Sequence, residues 1–323
     1  ALFAGGVLAA DVVLLQVAPG PGGVPSFGLA CDYLLDAARK ARLVIAEVNQ
    51  DVPWTHGTPW PSDLRVDHWI GAEHPPVELA APAASAAAQA IGRHVAALVP
   101  EGATLQVGVG SLPDATLDAL RDHRWLGLHS GVLGDAGTRL VQAGAIDNSR
   151  KGVDAGISVS NTVCGSAATF RWIHRNPAVE IRHSLATHGA DVLAQLDSFH
   201  AINGALEVDL SGQVNCEQQQ DKMRGGTGGL LDFARAARAS AGGRGITVLQ
   251  ATGAKGTASR IVPSLLGRPA TLGRSDVDTV VTEYGVAHLR DVPLAERARR
   301  LIAIAAPEFR DALLAQWTAS PNA

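Results

Sequence analysis

Two glycine-rich segments and one histidine carry most of the chemistry this sequence offers. Leu105-Gln106-Val107-Gly108-Val109-Gly110 reads as a buried strand running into glycines, with Ser111 and Pro113 at the start of a helix. Glycine at a strand end lets the main chain approach a ligand, and a helix start offers free N–H groups to an anion or oxyanion. Tight-turn geometry alone is the competing reading. Gly225-Gly226-Thr227-Gly228-Gly229 precedes the helical Leu230-Leu231-Asp232-Phe233, a nest-like arrangement suited to an oxyanion or a phosphate. No Gly-Lys-Ser/Thr follows, so it is not a Walker A loop, and no clear strand leads into it as a dinucleotide fingerprint requires. An unliganded flexible loop is the alternative. Trp125-Leu126-Gly127-Leu128-His129-Ser130-Gly131 reads as a strand with a polar end. Alternation along it puts residues 129 and 131 on one side, although a lone histidine there is more commonly structural than catalytic.

The elements that must position these residues follow an α/β pattern. Asp11 to Val17 and Leu43 to Val48 are continuous apolar runs flanking a helical stretch from Asp32 to Ala41, the sign of parallel strands covered on both faces. Residues 51 to 76 show no periodicity and read as an irregular excursion. Alanine-rich Pro82 to Val99 reads as a helix with Ile91, Val95 and Leu98 as its apolar stripe. The boundary between two domains, 1–80 and 81–323, is placed just before it. Strands are expected at Thr104–Val109, Trp125–His129, Gly245–Gln250 and Thr279–Thr282. Helices are expected at 114–121, 136–142, 167–174, 230–239, 295–304 and 307–317. Ala201 to Leu210 reads as extended, with a hairpin about Asn203-Gly204.

Composition narrows the class. The 323 residues are 46% hydrophobic and 18% charged, with a formal charge of −4, which suits a folded globule without a nucleic-acid footprint. Cys31, Cys164 and Cys216 are far apart with no ligand-like spacing. They argue for neither disulfides nor a metal site and fit a reducing, cytoplasmic setting. The apolar opening from Ala1 to Val17 lacks a basic start and is broken by Asp11. It reads as a buried strand rather than a membrane segment.

Taken together, the motifs resemble the acetyl-CoA hydrolase/transferase family, which includes 4-hydroxybutyrate and butyrate CoA-transferases. The similarity lies in Gln106 to Gly110 with Pro113, Leu126 to Asp135, Asn203 to Val214 and Gly226 to Phe233. It is closest at Val280 to Arg290 (VVTEYGVAHLR), continuing through Glu296-Arg297-Ala298 to Pro307-Glu308-Phe309-Arg310. Asp11 to Ser26 is similar to the family's DVALIQVSPPDEHGYVS, and Ala46-Glu47-Val48-Asn49 and Thr55-His56-Gly57 follow in step. The resemblance implies two tandem open α/β/α domains with the site between them, an acyl-CoA thioester substrate, a small carboxylate as possible acceptor, and a homo-oligomer, a dimer. In such enzymes a glutamate attacks the thioester carbonyl and main-chain amides hold the oxyanion.

Two departures accompany the resemblance. The family motif Gly-Ile/Val-His-Thr/Ser-Glu-Met stands here as Gly127-Leu128-His129-Ser130-Gly131-Val132, so Gly131 falls where the nucleophilic glutamate is expected. Family members also carry more sequence before the counterpart of Asp11, so the first domain is expected to be shortened. A glycine at 131 leaves three readings: hydrolysis by water, an inactive acyl-CoA-binding protein or subunit needing an active partner, or another carboxylate filling the gap. His129 is the first candidate to activate a water, because it should share a face with position 131. Glu283 is the second, with a backbone-bonded structural carboxylate as its alternative. The expected contacts to coenzyme A are Gly108, Gly110, Gly226, Thr227, Gly228 and Gly229. Ser259 and Arg260, with Lys222 or Arg224, are candidates for its phosphates.

Overall fold

The computed structural model describes residues 2–3, 5–79, 83–219, 221–253 and 256–320. The N-terminal part holds β1 (Val12–Val17), α1 (Leu34–Lys40), β2 (Leu43–Val48), β3 (His56–Gly57) and β4 (His68–Gly71). β1, β2 and β4 form a three-stranded parallel sheet with β2 in the middle. Val13, Leu15 and Val17 alternate inward and pack with Ala37 and Ala38 of α1, as period-2 strands beside an amphipathic helix should. β3 and β4 lie in the stretch expected to be irregular. They escape a pattern reading because β3 has two residues and all four of β4 are exposed. The expected domain boundary near residue 80 lies outside the described residues.

The chain continues with α2 (Ala86–Ala96), β5 (Thr104–Val107), α3 (Ser111–Ala119), β6 (Gly127–Leu133), α4 (Asp135–Gln142) and β7 (Ser158–Val163). Next come α5 (Ala167–Ile173), β8 (Val179–Ile181), α6 (Ser184–His188), α7 (Ala190–Leu193) and β9 (Phe199–Gly204). Then follow β10 (Glu207–Asp209), β11 (Val214–Asn215), β12 (Gln218–Gln219), β13 (Lys222–Met223), α8 (Leu230–Ala239) and β14 (Arg244–Val248). The last are β15 (Thr252–Gly253), β16 (Ala258–Ser259), β17 (Ile261–Val262), β18 (Thr279–Thr282), β19 (Gly285–His288), α9 (Leu294–Ala303) and α10 (Pro307–Thr318). Among the described residues no helix is long and apolar enough to cross a membrane.

One nine-stranded sheet, in the order β19-β18-β14-β9-β5-β6-β7-β8-β3, organises the molecule. All its pairings are parallel except β18 with β19. β3 from the N-terminal part closes one edge by pairing with β8, so the two parts share this sheet. The chain runs outward from β5 through β6, β7 and β8, then returns to β5's other side with β9. β5 is therefore a topological switch point, where ligands bind outside the carboxyl ends of parallel strands.

One expectation is corrected here. Asn203-Gly204 forms no hairpin: Asn203 and Gly204 pair in parallel with Thr247 and Val248, and the Ala205 N–H donates to Val248 O. The chain then leaves for β10, which belongs to a separate sheet with β11 and β17. The Asp135 carboxylate, in the first turn of α4, does not cap its own helix. Instead Oδ1 accepts from the Ser166 N–H, Ser166 Oγ and Thr169 Oγ1, closing the start of α5.

Leu105, fully buried on the switch-point strand, packs in the largest apolar cluster with Ile91, Leu128 and Ile202. Leu105→Ala is expected to lower unfolding stability by about 2–5 kcal/mol, measured by urea denaturation.

Candidate functional site

β5 and β6 are paired as a regular ladder at Thr104–Gly127 and Leu105–Leu128. Farther along, a side chain takes over. Ser130 Oγ accepts from the Val107 N–H at 3.2 Å and donates to Val107 O at 3.0 Å, holding the strands apart by the width of a hydroxyl. Beyond that bridge Gly108 and Gly131 both line a cavity of about 640 Å³, as do Asn203 and Gly204 at the end of β9. Asn203 is fixed by a reciprocal amide pair with Gln106, at 2.8 and 3.1 Å. A Cβ on Gly108 would stand 2.8 Å from Asn203 Oδ1, so this position tolerates glycine alone without displacement. The far wall is Gly226, Thr227, Gly228 and Gly229 before α8.

The N-terminal part supplies another wall through Asp32 and Tyr33. Ser184 Oγ donates to Asp32 Oδ1 at 2.6 Å, and the Ser184 N–H donates to Asp32 O, fastening this loop to α6. A second cavity of about 210 Å³ adjoins the first across Gly108, Val109 and Val132, with Leu117, Leu128 and Leu133 in its wall.

His129 and Gly131 do face the same way, toward α6, but they meet different things. His129 is wholly buried, and its Nε2 lies 2.9 Å from Thr187 O, to which it donates; Nδ1 has no partner among the described residues. Burial pushes its pKa down to about 4, with the Thr187 carbonyl opposing and the Lys151 ammonium reinforcing. His129 thus lies in the core, not in the cavity wall where its expected role would place it.

His188, unmarked in the sequence reading, lines the cavity instead. A Cβ at position 131 would stand 3.3 Å from His188 Nε2 and 3.5 Å from Phe233 Cε2. The ring packs on Phe233 at a centroid distance of 4.5 Å. Its Nδ1 lies 2.7 Å from Thr187 Oγ1, and a Cβ at Gly229 would fall 2.2 Å from its Cδ2. Burial lowers its pKa, with the carboxylates of Asp232 and Asp32 opposing. A spacing reading had no handle on it, because it stands 57 positions after Gly131 and only the fold joins them.

The remaining candidates divide. Gly108 and residues 226–229 come together around the cavity, whereas Gly110 (φ +125) borders the smaller one and precedes α3. Glu283 is outside both walls and accepts from the Ala251 N–H at 2.8 Å. Ser259 Oγ donates to Ile261 O, and Arg260 packs beside Gly253; neither lines either cavity. Lys222 and Arg224 are exposed and likewise outside both. Cys216 borders the large cavity, but burial pushes its thiol up to about 12, which leaves it a poor nucleophile. Among the described residues no cluster of His, Cys, Asp and Glu could hold a metal ion.

Comparison with known proteins settles the family. The acetyl-CoA hydrolase/transferase C-terminal domain matches residues 165–317. A 4-hydroxybutyrate coenzyme A transferase of Clostridium kluyveri is 41% identical over 96% of this chain and 73% of its own length. The chain belongs to the acetyl-CoA hydrolase/transferase family. The crystal structure of RipA from Yersinia pestis superimposes with a TM-score of 0.92 at 35% identity, covering 98% of this chain and 72% of that one. The 4-hydroxybutyrate CoA-transferase of Porphyromonas gingivalis gives a TM-score of 0.87 at 37% identity, covering 98% and 76%. These matches carry the expected CoA-transferase-type α/β architecture.

The buried His129 has a consequence for stability. Its folded pKa lies below the ordinary value of 6.5, so the unfolded chain binds the proton first as pH falls. The contribution is complete above about 6.5 and is lost progressively toward about 4. His129→Gln should flatten the acid-side fall of the urea midpoint, read between about pH 7.5 and about pH 5, relative to the parent chain.

Proposed function

We propose that this chain cleaves short acyl-CoA thioesters with water, rather than a side-chain carboxylate, as the attacking group. The observation that carries the reading is Gly131 on the cavity wall where β6 parts from β5, without a side chain to attack. Relatives named as CoA transferases match nearly the whole of this chain, one at 41% identity and one with the same fold at 37%, which supports a thioester substrate. Glycines on both sides let the main chain line the cavity closely, and main-chain N–H groups are the donor type that stabilises an oxyanion. The thioester carbonyl lies between the Gly108–Gly131 opening and the Gly226–Gly229 loop. The smaller apolar cavity beside it takes a short acyl chain, and coenzyme A is product, not resident cofactor.

A second reading is an acyl-CoA-binding protein or subunit that turns over nothing alone, favoured by the same bare Gly131. The test is thiol release from a chain-length panel of acyl-CoA esters, with and without an added carboxylate such as acetate. Hydrolysis predicts release that needs no acceptor and is fastest with short chains. Binding without release establishes the second reading, and CoA transfer to acetate overturns attack by water.

Gly131→Glu alone is expected to create no transferase, because its Cβ would crowd His188 Nε2. Gly131→Glu combined with His188→Ala frees that space and is expected to yield CoA transfer to acetate above the single variant, assayed by the acetyl-CoA formed.

A further inference from the structure

We propose that His188 is the general base that deprotonates the attacking water at Gly131, an assignment that rests on the hydrolytic reading above. Position 131 and His188 Nε2 are close enough that a side chain at 131 would press on the ring. With glycine at 131, no side chain stands between that strand and Nε2, and both residues line the cavity. The ring is held on three sides. Phe233 packs against it at 4.5 Å, the bare Gly229 leaves room behind it, and Thr187 Oγ1 sits 2.7 Å from Nδ1.

The assignment takes the Nδ1–H tautomer: Thr187 Oγ1, with the Ser184 carbonyl at 3.2 Å and the His183 carbonyl at 3.4 Å to receive its proton, accepts from Nδ1–H. The Nε2 lone pair is then the free one, and it is the nitrogen that faces Gly131. His129 acts one step back as a positioning residue: its Nε2–H holds the carbonyl of Thr187, the residue next to His188. The charged groups bearing on His188 are Asp32 from the loop before α1 and Asp232 of α8, both in the cavity wall. β6 contributes only the neutral His129 beneath. Burial outweighs the two carboxylates, so the imidazole is neutral near neutral pH and able to take a proton.

The step balances as follows. Water oxygen bonds to the thioester carbonyl carbon while its proton passes to Nε2, giving a tetrahedral oxyanion and an imidazolium. The carbonyl re-forms, the carbon–sulfur bond breaks, and the imidazolium returns its proton to the departing thiolate. The products are a carboxylic acid, which ionises, and free coenzyme A thiol.

His188→Gln and His188→Ala test the assignment in the full chain with acetyl-CoA and butyryl-CoA. Melting curves and calorimetry with the same esters check folding and binding. Loss of about 100-fold or more in kcat at little changed KM is expected. The acid limb of the parent's pH–rate profile should vanish in His188→Gln, and added imidazole should partly rescue His188→Ala. Parent-like kcat with an unchanged acid limb in either folded variant overturns the role of His188 and leaves hydrolysis standing. A parent chain that binds the esters but releases no thiol overturns the hydrolytic reading itself, and this assignment with it. Should His188→Ala fail to fold, the kcat and pH profile of His188→Gln decide.

Discussion

Val107 and Ser130 sit opposite each other on neighbouring parallel strands, and a side-chain hydroxyl rather than a main-chain carbonyl answers both polar groups of Val107. The opening of the sheet depends on that substitution. A ladder carried on for one more residue would close Gly108 against Gly131. A hydroxyl-wide gap keeps them apart while leaving no buried donor or acceptor of Val107 unpaired. Because β5 is where the chain changes direction across the sheet, helices diverge on either side and the gap widens into a cavity instead of filling with side chains. Glycines then finish the shape: at 108 the Asn203 amide leaves no room for a Cβ, and at 229 the His188 ring leaves none.

Burial lowers the pKa of His129 and His188 beside this opening, and of His200 farther back in the sheet, because an imidazolium in low dielectric loses hydration that few neighbours replace. Lys151 under β6 is pushed down to about 8 by the same desolvation, although its Nζ donates to Leu128 O and Ile157 O. Its positive charge further disfavours protonation of His129. A neutral His129 can donate one fixed hydrogen bond to Thr187 O, and α6 is thereby held against β6. The same short helix is gripped from the other side by Asp32. Two distant parts of the chain therefore meet at a five-residue helix whose last residue reaches the cavity.

Much of the architecture was legible before folding was considered. Apolar runs at Asp11–Val17 and Leu43–Val48 and the helices expected at 230–239 and 295–304 followed from local composition alone, although the first strand is covered on one face only, with Val12 and Leu14 exposed. Polar or very short strands escaped, since β7 (SVSNTV) carries no apolar alternation and β3 is recognisable only once β8 lies beside it. Of the site, the glycine segments were readable because glycine at a strand or helix end is a local statement about backbone freedom. His129 was chosen on a correct premise, that it shares a face with Gly131. The face meets a helix rather than solvent, and so it became an anchor.

The sequence by itself determined the α/β class, the family resemblance and the glycine at position 131, because strand periodicity, motif spacing and residue identity are properties of neighbours along the chain. Only the tertiary structure decided which histidine reaches the cavity, why Glu283 stays bound to backbone, and how Asp32 joins the wall. Those outcomes depend on burial and on contacts between segments 30 to 150 residues apart, and desolvation acts on what surrounds a group in space, whatever its place in the sequence.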